Sequence, residues 1–148
     1  MATTKLRSER IASLETLASN EAKELAVQME RQAGVVKQAE SKLAELQSYL
    51  DSYQAQNGAG QNSVNPMRLL EKQAFLQRLR EALNAQGQVV ESARSRYELL
   101  RAQWIAKHLR GIALGKAVDR FQLEEGQAEN RRQQHAQDEI AARQFQSW

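Results

Sequence analysis

A seven-residue repeat of apolar side chains runs through most of the chain and constrains its fold more than any other feature. From Leu25 to Tyr53, and again from Leu69 to Phe121, positions spaced alternately by three and four residues are mostly apolar. This spacing puts the apolar side chains on one stripe of a helix and is typical of a coiled coil. The composition agrees, because the chain is rich in helix-forming residues and only 5% of it is aromatic.

The only proline and a cluster of turn-favouring residues divide the repeat into two segments. Gly58 and Gly60 lie among asparagines and glutamines, a composition that favours a turn. Asn65 can cap a helix that begins at Pro66, where the missing N–H of proline costs nothing. A short loop between two long helices makes them antiparallel.

We therefore predict an all-α fold, in which two long helices form one antiparallel coiled-coil domain over residues 1–148. Helix 1 covers about residues 5–53, the loop about 54–65, and helix 2 begins at about 66. Residues 66–121 of helix 2 are predicted to be paired, and residues 122–148 form either a polar overhang or a frayed tail.

The repeat also predicts a register. If the turn is centred near residue 60, the numbers of facing residues sum to about 121, so the start of helix 1 faces residues 110–115. Gln32 and Gln86 then lie at one level, which is either a polar layer that specifies the register or a bending point. Between Ile11 and Leu25 the apolar residues, including Leu14, predict a local stutter.

No pattern in the sequence indicates catalysis, a cofactor or a metal site. The chain has no cysteine and two histidines, and neither His108 nor His135 has the neighbours of a metal site. There is no glycine-rich phosphate loop, and two paired helices offer no enclosed pocket. We therefore predict a protein that is not an enzyme and has no cofactor, metal or small-molecule substrate. No apolar run is long enough to span a bilayer.

The two flanks of the predicted coiled coil differ in polarity. The flank at heptad positions e carries mainly polar residues, and the flank at positions g, hereafter the apolar flank, carries Val35, Lys42, Tyr49, Phe75, Ala82 and Val89. These side chains either widen the seam of the coiled coil or form a docking patch for another protein, since aromatic residues often anchor interfaces.

Positive charge is concentrated in residues 94–120, which hold seven basic and two acidic side chains. Pairing with the acidic helix 1 explains part of this excess, and an acidic protein or phosphate groups would explain the rest. Tyr97 and Trp104 are interleaved with these bases but lie at seam positions. We therefore expect no nucleic acid partner.

Three stretches of the chain resemble the flagellar type III export protein FliJ family: residues 11–18 (IASLETLA), 38–53 (QAESKLAELQSYLDSY) and 75–83 (FLQRLREAL). The resemblance covers most of the chain. It implies a cytoplasmic coiled coil, peripherally associated with the inner membrane at the flagellar base, that resembles the stalk of a rotary ATPase. The implied partners are the hexameric flagellar export ATPase, whose ring assembly it promotes, the cytoplasmic domain of the export-gate membrane protein, and substrate chaperones.

The resemblance also implies residues that bind the export gate. The family pattern matches Leu46, Tyr49, Tyr53, Phe75, Leu79 and Ala82, while Lys42 replaces a glutamine of the pattern and Gln86 replaces a histidine. We assign the ATPase-facing basic region to Arg94, Arg101, Lys107, Arg110, Lys116 and Arg120. The alternatives are the equivalent stalk of a virulence type III secretion system and, with less support, a basic coiled coil that binds nucleic acid.

Overall fold

The computed structural model describes residues 6–58 and 65–147, and it contains two long α-helices in this part of the chain. Helix α1 is Arg7–Gly58, with 52 residues, and α2 is Pro66–Gln146, with 81 residues. The two helices form an antiparallel helical hairpin, so the predicted fold class is confirmed.

The ends of the helices follow local chemistry. The backbone N–H of Met67 donates a hydrogen bond of 3.2 Å to Oδ1 of Asn65, which confirms Asn65 as the N-cap of α2. Helix α1 continues five residues past Tyr53, because Gln54, Ala55 and Gln56 have good helix propensity. Residues 1–5 and 59–64, which include the predicted start of helix 1 and half of the predicted loop, lie outside the described residues.

Helix α2 does not end where the apolar repeat stops. It continues past Phe121 to Gln146, because this segment is rich in glutamine, alanine, glutamate and arginine. Side chains one turn apart also pair there: Arg132 with Glu129 at 3.0 Å, and His135 with Glu139 at 3.6 Å. Trp148 lies outside the described residues.

The contacts divide the chain into two compact units. The loop unit is Leu25–Gln103, and its buried side chains are Ala39, Leu50, Leu79, Val90, Ala93 and Leu100. The terminal unit combines α1 up to Glu24 with α2 from Trp104 onward, and it buries Ala18, Ala22 and Val118. In each unit α1 runs antiparallel to α2, and the buried side chains form a narrow seam.

The predicted stutter in helix 1 is wrong. Leu14 is 46% exposed, and the partly buried position beside it is Glu15. With Glu15 at the seam, the alternation of three and four residues continues without interruption from Ser8 to Leu25. The reason lies on α2, where Gly115 has no side chain and leaves room for the Glu15 carboxylate, whose Oε1 lies 3.0 Å from the position that a Cβ would take.

The register also differs from the prediction. The start of α1 lies opposite Phe121 and Glu125 rather than residues 110–115, since Ser8 bonds Glu125 and the Arg7 guanidinium lies 5.3 Å from the Phe121 ring centroid. The shift agrees with the helix bounds, because α1 ends at Gly58, five residues later than predicted, while α2 begins at Pro66 as predicted.

The same shift separates the two seam glutamines of the loop unit. Nε2 of Gln32 donates to the backbone carbonyl of Ala93, and Nε2 of Gln86 donates to that of Ala39, each at 3.0 Å. Because Gln32 lies seven residues before Ala39, and Gln86 seven before Ala93, the two hydrogen bonds lie about two helical turns apart along the seam. The predicted single level is therefore wrong, whereas their hydrogen bonds are those of polar layers that specify a register.

Candidate partner-binding surface

The most exposed aromatic pair of the loop unit lies on the apolar flank, close to the loop. Tyr49 on α1 is 69% exposed and Phe75 on α2 is 46% exposed. The Phe75 ring packs against Tyr53, with 4.8 Å between ring centroids and 49° between ring planes. An open groove beside them is lined by Glu45, Ser48, Tyr49, Ser52, Tyr53, Gln56 and Phe75. The helices thus hold two aromatic rings at the surface of a concave site.

The six residues assigned to gate binding do not share one environment. Leu79 is buried in the seam, Leu46 and Tyr53 are half-buried, and Tyr49, Phe75 and Ala82 are exposed. Tyr49, Tyr53 and Phe75 line the groove, whereas Leu46 and Leu79 do not.

The two positions that depart from the family pattern also differ from each other. Lys42 is exposed on the apolar flank. Gln86 is half-buried, and its side-chain amide is already bonded to the Ala39 carbonyl. Lys42 is therefore free to contact a partner at this surface, while Gln86 serves the packing of the seam.

Several polar residues of the groove were not predicted as site residues. Glu45 and Ser52 lie one turn before and one turn after Tyr49, and Ser48 precedes it. The heptad pattern contains the signal that would have found Glu45 and Ser52, because both occupy position c, which adjoins position g on a helix. They give the groove a polar rim around its aromatic centre, as protein interfaces commonly have.

The apolar flank continues away from the loop. Val35 is 48% exposed and Val89 is 50% exposed, and both line a second shallow groove together with Gln32, Ala85, Gln88, Ser92, Ala93 and Arg96. The opposite flank is covered by polar contacts, with the Arg94 guanidinium 2.8 Å from the Glu40 carboxylate and Nε2 of Gln47 3.0 Å from the carboxylate of Asp51. The difference between the flanks predicted from the sequence is present in the structure.

The predicted basic region falls in both units. In the loop unit, Arg94 pairs with Glu40, and Arg101 lies 3.7 Å from Glu98 on the same helix. Both arginine side chains remain exposed although each has an acidic neighbour.

In the terminal unit, Lys107 pairs with Glu21, and the Arg120 guanidinium lies 5.4 Å from the Phe121 ring centroid. Arg110 and Lys116 are exposed and form no ion pair within the described residues. These two cations are the members of the predicted set that are available for an acidic partner.

The aromatic residues near these bases are partly enclosed. Trp104 and Tyr97 are half-buried, and the Trp104 ring stacks on His108 with 4.8 Å between centroids and 10° between planes. Stacking against single-stranded nucleic acid requires a free aromatic face. The arrangement therefore gives nucleic acid binding no added support.

Within residues 6–58 and 65–147, no cluster of histidine, cysteine, aspartate and glutamate is suited to hold a metal ion. None of the helices in these ranges has the length and apolarity needed to cross a membrane.

The whole length of the hairpin matches one family of proteins. The family described as flagellar FliJ protein matches residues 7–147, a range that begins with α1 and ends one residue after α2. Comparisons with curated proteins and with solved structures found no significant match. The family match covers nearly the whole chain, and the resemblance noted in residues 11–18, 38–53 and 75–83 lies within it. The chain therefore belongs to the FliJ family of flagellar proteins.

Proposed function

We propose that this chain is a non-enzymatic, stalk-like component of the flagellar type III protein export apparatus. In this proposal it binds the hexameric export ATPase, promotes assembly of the ATPase ring, and couples the ring to the export gate and to substrate chaperones. Family membership gives the chain a role related to flagellar export, and the helical hairpin supports a structural rather than a chemical role. The protein would act in the cytoplasm, at the inner membrane beneath the flagellum.

The exposed aromatic pair carries the assignment of the gate-binding surface. Two helices can close a coiled-coil seam without Tyr49 and Phe75, which instead remain 69% and 46% exposed. Large aromatic side chains on a rigid surface are typical anchors of protein interfaces. We therefore assign the cytoplasmic domain of the export-gate protein to this surface, with Ala82 and the edge of Tyr53 completing the contact.

The terminal unit supplies the surface proposed for the ATPase. Arg110 and Lys116 are exposed there without an acidic partner among the described residues. Exposed cations of this kind accelerate association with an acidic surface and bind it in a salt-dependent manner. The match to a flagellar family favours this role over the equivalent role in a virulence secretion system.

The gate assignment can be tested by calorimetry with the purified cytoplasmic domain of the export-gate protein. Tyr49→Ala combined with Phe75→Ala should weaken binding by about tenfold or more, because interface anchors contribute about 2 kcal/mol or more on truncation. Phe145→Ala is the matched control, since Phe145 is 85% exposed but lies in the terminal unit. Unchanged affinity of the double variant, with full helix content by circular dichroism, would reject this surface.

A further inference from the structure

We propose that the docking surface extends along the whole apolar flank of the loop unit and accepts an acidic amphipathic helix of the partner. The helix would lie in the groove between α1 and α2 and complete a three-helix arrangement. This inference rests on the proposed function, because it specifies what binds at the flank that holds Tyr49 and Phe75.

The flank presents contacts at the spacing of a helix. On α1, Val35, Lys42 and Tyr49 follow one another at seven-residue intervals, and on α2 Phe75, Ala82 and Val89 do the same. Each interval is two turns, or about 10 Å along a helix, so the three levels span about 20 Å. The outer two levels each border an open groove. A partner helix with its own seven-residue apolar repeat would place apolar side chains against the flank at each of the three levels.

The groove at the far level places two valines, one from each helix, beside small and polar side chains. Val35 and Val89 are each about half exposed, and Ala85, Ala93 and Gln32 line the groove with them. The bond from Gln32 to the Ala93 carbonyl fixes α1 against α2 at this level. The valines are therefore displayed in a fixed geometry, and their exposed area is available to a third helix.

The charges of this flank select an acidic helix. Between residues 31 and 49 of α1 and between 75 and 96 of α2, heptad positions g and c carry four bases and one acid: Arg31, Lys42, Arg78, Arg96 and Glu45. All five are exposed, and none of the four bases forms an ion pair within the described residues. Positions e and b of the same stretches hold three bases and two acids, and Arg94 already pairs with Glu40 there. Glutamates beside the apolar stripe of a partner helix would thus meet a larger excess of opposite charge on the apolar flank than on the other flank.

The occupant can be tested with two synthetic three-heptad peptides that share leucines at the apolar positions. One carries glutamate and the other lysine at the flanking positions, and binding to the full chain is followed by fluorescence anisotropy. We expect the glutamate peptide to bind at least about tenfold more tightly at low salt. Lys42→Glu should remove most of that preference, whereas Lys37→Glu, an equal charge change at position b, should not. Equal binding of the two peptides, or equal effects of the two variants, would overturn the proposal.

The length of the surface needs a separate variant. Val35→Ser with Val89→Ser should weaken binding of the glutamate peptide by about fivefold or more, while circular dichroism shows unchanged helix content. An unchanged affinity would overturn the extension beyond Tyr49 and Phe75.

These tests separate the inference from the proposed function, because neither peptide contains any part of the gate protein. Binding of the glutamate peptide without binding of the gate domain would reject the gate assignment and support the groove. Gate binding that is lost in Tyr49→Ala with Phe75→Ala, but is insensitive to Lys42→Glu and to the valine variant, would reject the acidic helix and leave the gate assignment in place.

Discussion

The carboxylate of Glu125 on α2 accepts two hydrogen bonds from Ser8 on α1, one from the backbone N–H at 3.1 Å and one from the hydroxyl at 2.6 Å. Ser8 lies in the first turn of α1, where backbone N–H groups have no partner within the helix. The exposed fraction of Ser8 is 4%, so Glu125 supplies a bond that water could not easily supply. The start of α1 is thus capped by a side chain from the other helix, with a negative charge at the positive end of the helix dipole.

Acid should weaken this cap in the terminal unit. The hydrogen bonds from the Ser8 hydroxyl and backbone N–H, followed by the nearby Arg7, lower the pKa of Glu125 below its ordinary value of 4.5. A carboxyl whose folded pKa is lowered contributes stability that is complete above its unfolded pKa and is lost as the pH falls through the folded value. We expect the Ser8 amide to exchange hydrogen faster, relative to the unfolded-chain rate, once the pH falls below about 4.5.

The variant Glu125→Gln tests the origin of that pH dependence. It should accelerate exchange at Ser8 at neutral pH and remove most of the response to acid, as measured by NMR. Glu129→Gln is the control, because it removes the same charge from a carboxylate that pairs with Arg132 on its own helix. A pH response in Glu125→Gln equal to that of the unaltered chain would contradict the capping role.

Two glycines inside the helices of the loop unit lower its stability without serving the packing. A Cβ added at Gly34 or Gly87 would have no heavy atom within 4 Å. Alanine should therefore stabilise each helix by about 1 kcal/mol through helix propensity alone. Urea unfolding followed by circular dichroism measures the gain. At Gly115 an added Cβ would lie 3.0 Å from Oε1 of Glu15, so Gly115→Ala should gain less, and an equal gain at all three positions would contradict this account.

The two glutamine layers should determine register more than stability. Gln32→Leu with Gln86→Leu removes two hydrogen bonds but adds apolar side chains to the seam. We expect the free energy of unfolding to rise by about 1 kcal/mol or to stay the same. The price is specificity, because leucine packs equally well at shifted registers.

Cysteine pairs offer a direct measurement of that register, since the chain has no native cysteine. Ala39→Cys with Gln86→Cys should cross-link efficiently in a chain that retains Gln32, and a pair shifted by one heptad, Ala39→Cys with Ala93→Cys, should not. The shifted pair should gain cross-linking once Gln32→Leu and Gln86→Leu remove both glutamines. If it does not, while the native pair still cross-links in a chain with Gln32→Leu, the glutamine layers do not determine the register.

Two residues of the family pattern, Leu79 and Tyr49, should respond differently to truncation, because one stabilises the fold and the other is proposed to bind a partner. Leu79 is 9% exposed and Tyr49 is 69% exposed. Leu79→Ala should therefore lower the free energy of unfolding by about 2 to 4 kcal/mol, while Tyr49→Ala should change it by less than about 0.5 kcal/mol. Thermal and urea unfolding measure both. A large loss of stability in Tyr49→Ala would place its ring in the core and argue against a docking role.

The fold was predictable from the sequence because it depends on a periodic signal. The heptad repeat and the Asn65–Pro66 start of α2 are local features, and each indicates its structure without knowledge of distant residues. The register was not predictable, since it depends on where α1 ends and on contacts between residues far apart in sequence. Glu15 shows the limit most clearly: an acidic residue takes a seam position because Gly115, distant along the chain, leaves space for its carboxylate.

The candidate surface was predictable to a similar extent. Heptad position alone placed Tyr49 and Phe75 on the apolar flank and predicted the polar nature of the opposite flank, but it left open whether the two rings widen the seam or are exposed. It could not show which bases are already paired, because Arg94 and Lys107 find Glu40 and Glu21 only through the register of the two helices.

Arg110 and Lys116 should contribute most of the electrostatic attraction to the export ATPase. They are exposed in the terminal unit without an acidic partner among the described residues, so reversing them repels an acidic surface and disrupts no ion pair of the chain. Arg110→Glu with Lys116→Glu should lower ATPase affinity by about tenfold at low salt and by less at high salt, and should abolish promotion of ring assembly, as followed by analytical ultracentrifugation and ATP hydrolysis. Lys37→Glu with Arg80→Glu makes the same charge change in the loop unit and should have little effect. Equal losses in both variants would indicate a response to net charge and would remove the terminal unit as the ATPase-binding surface.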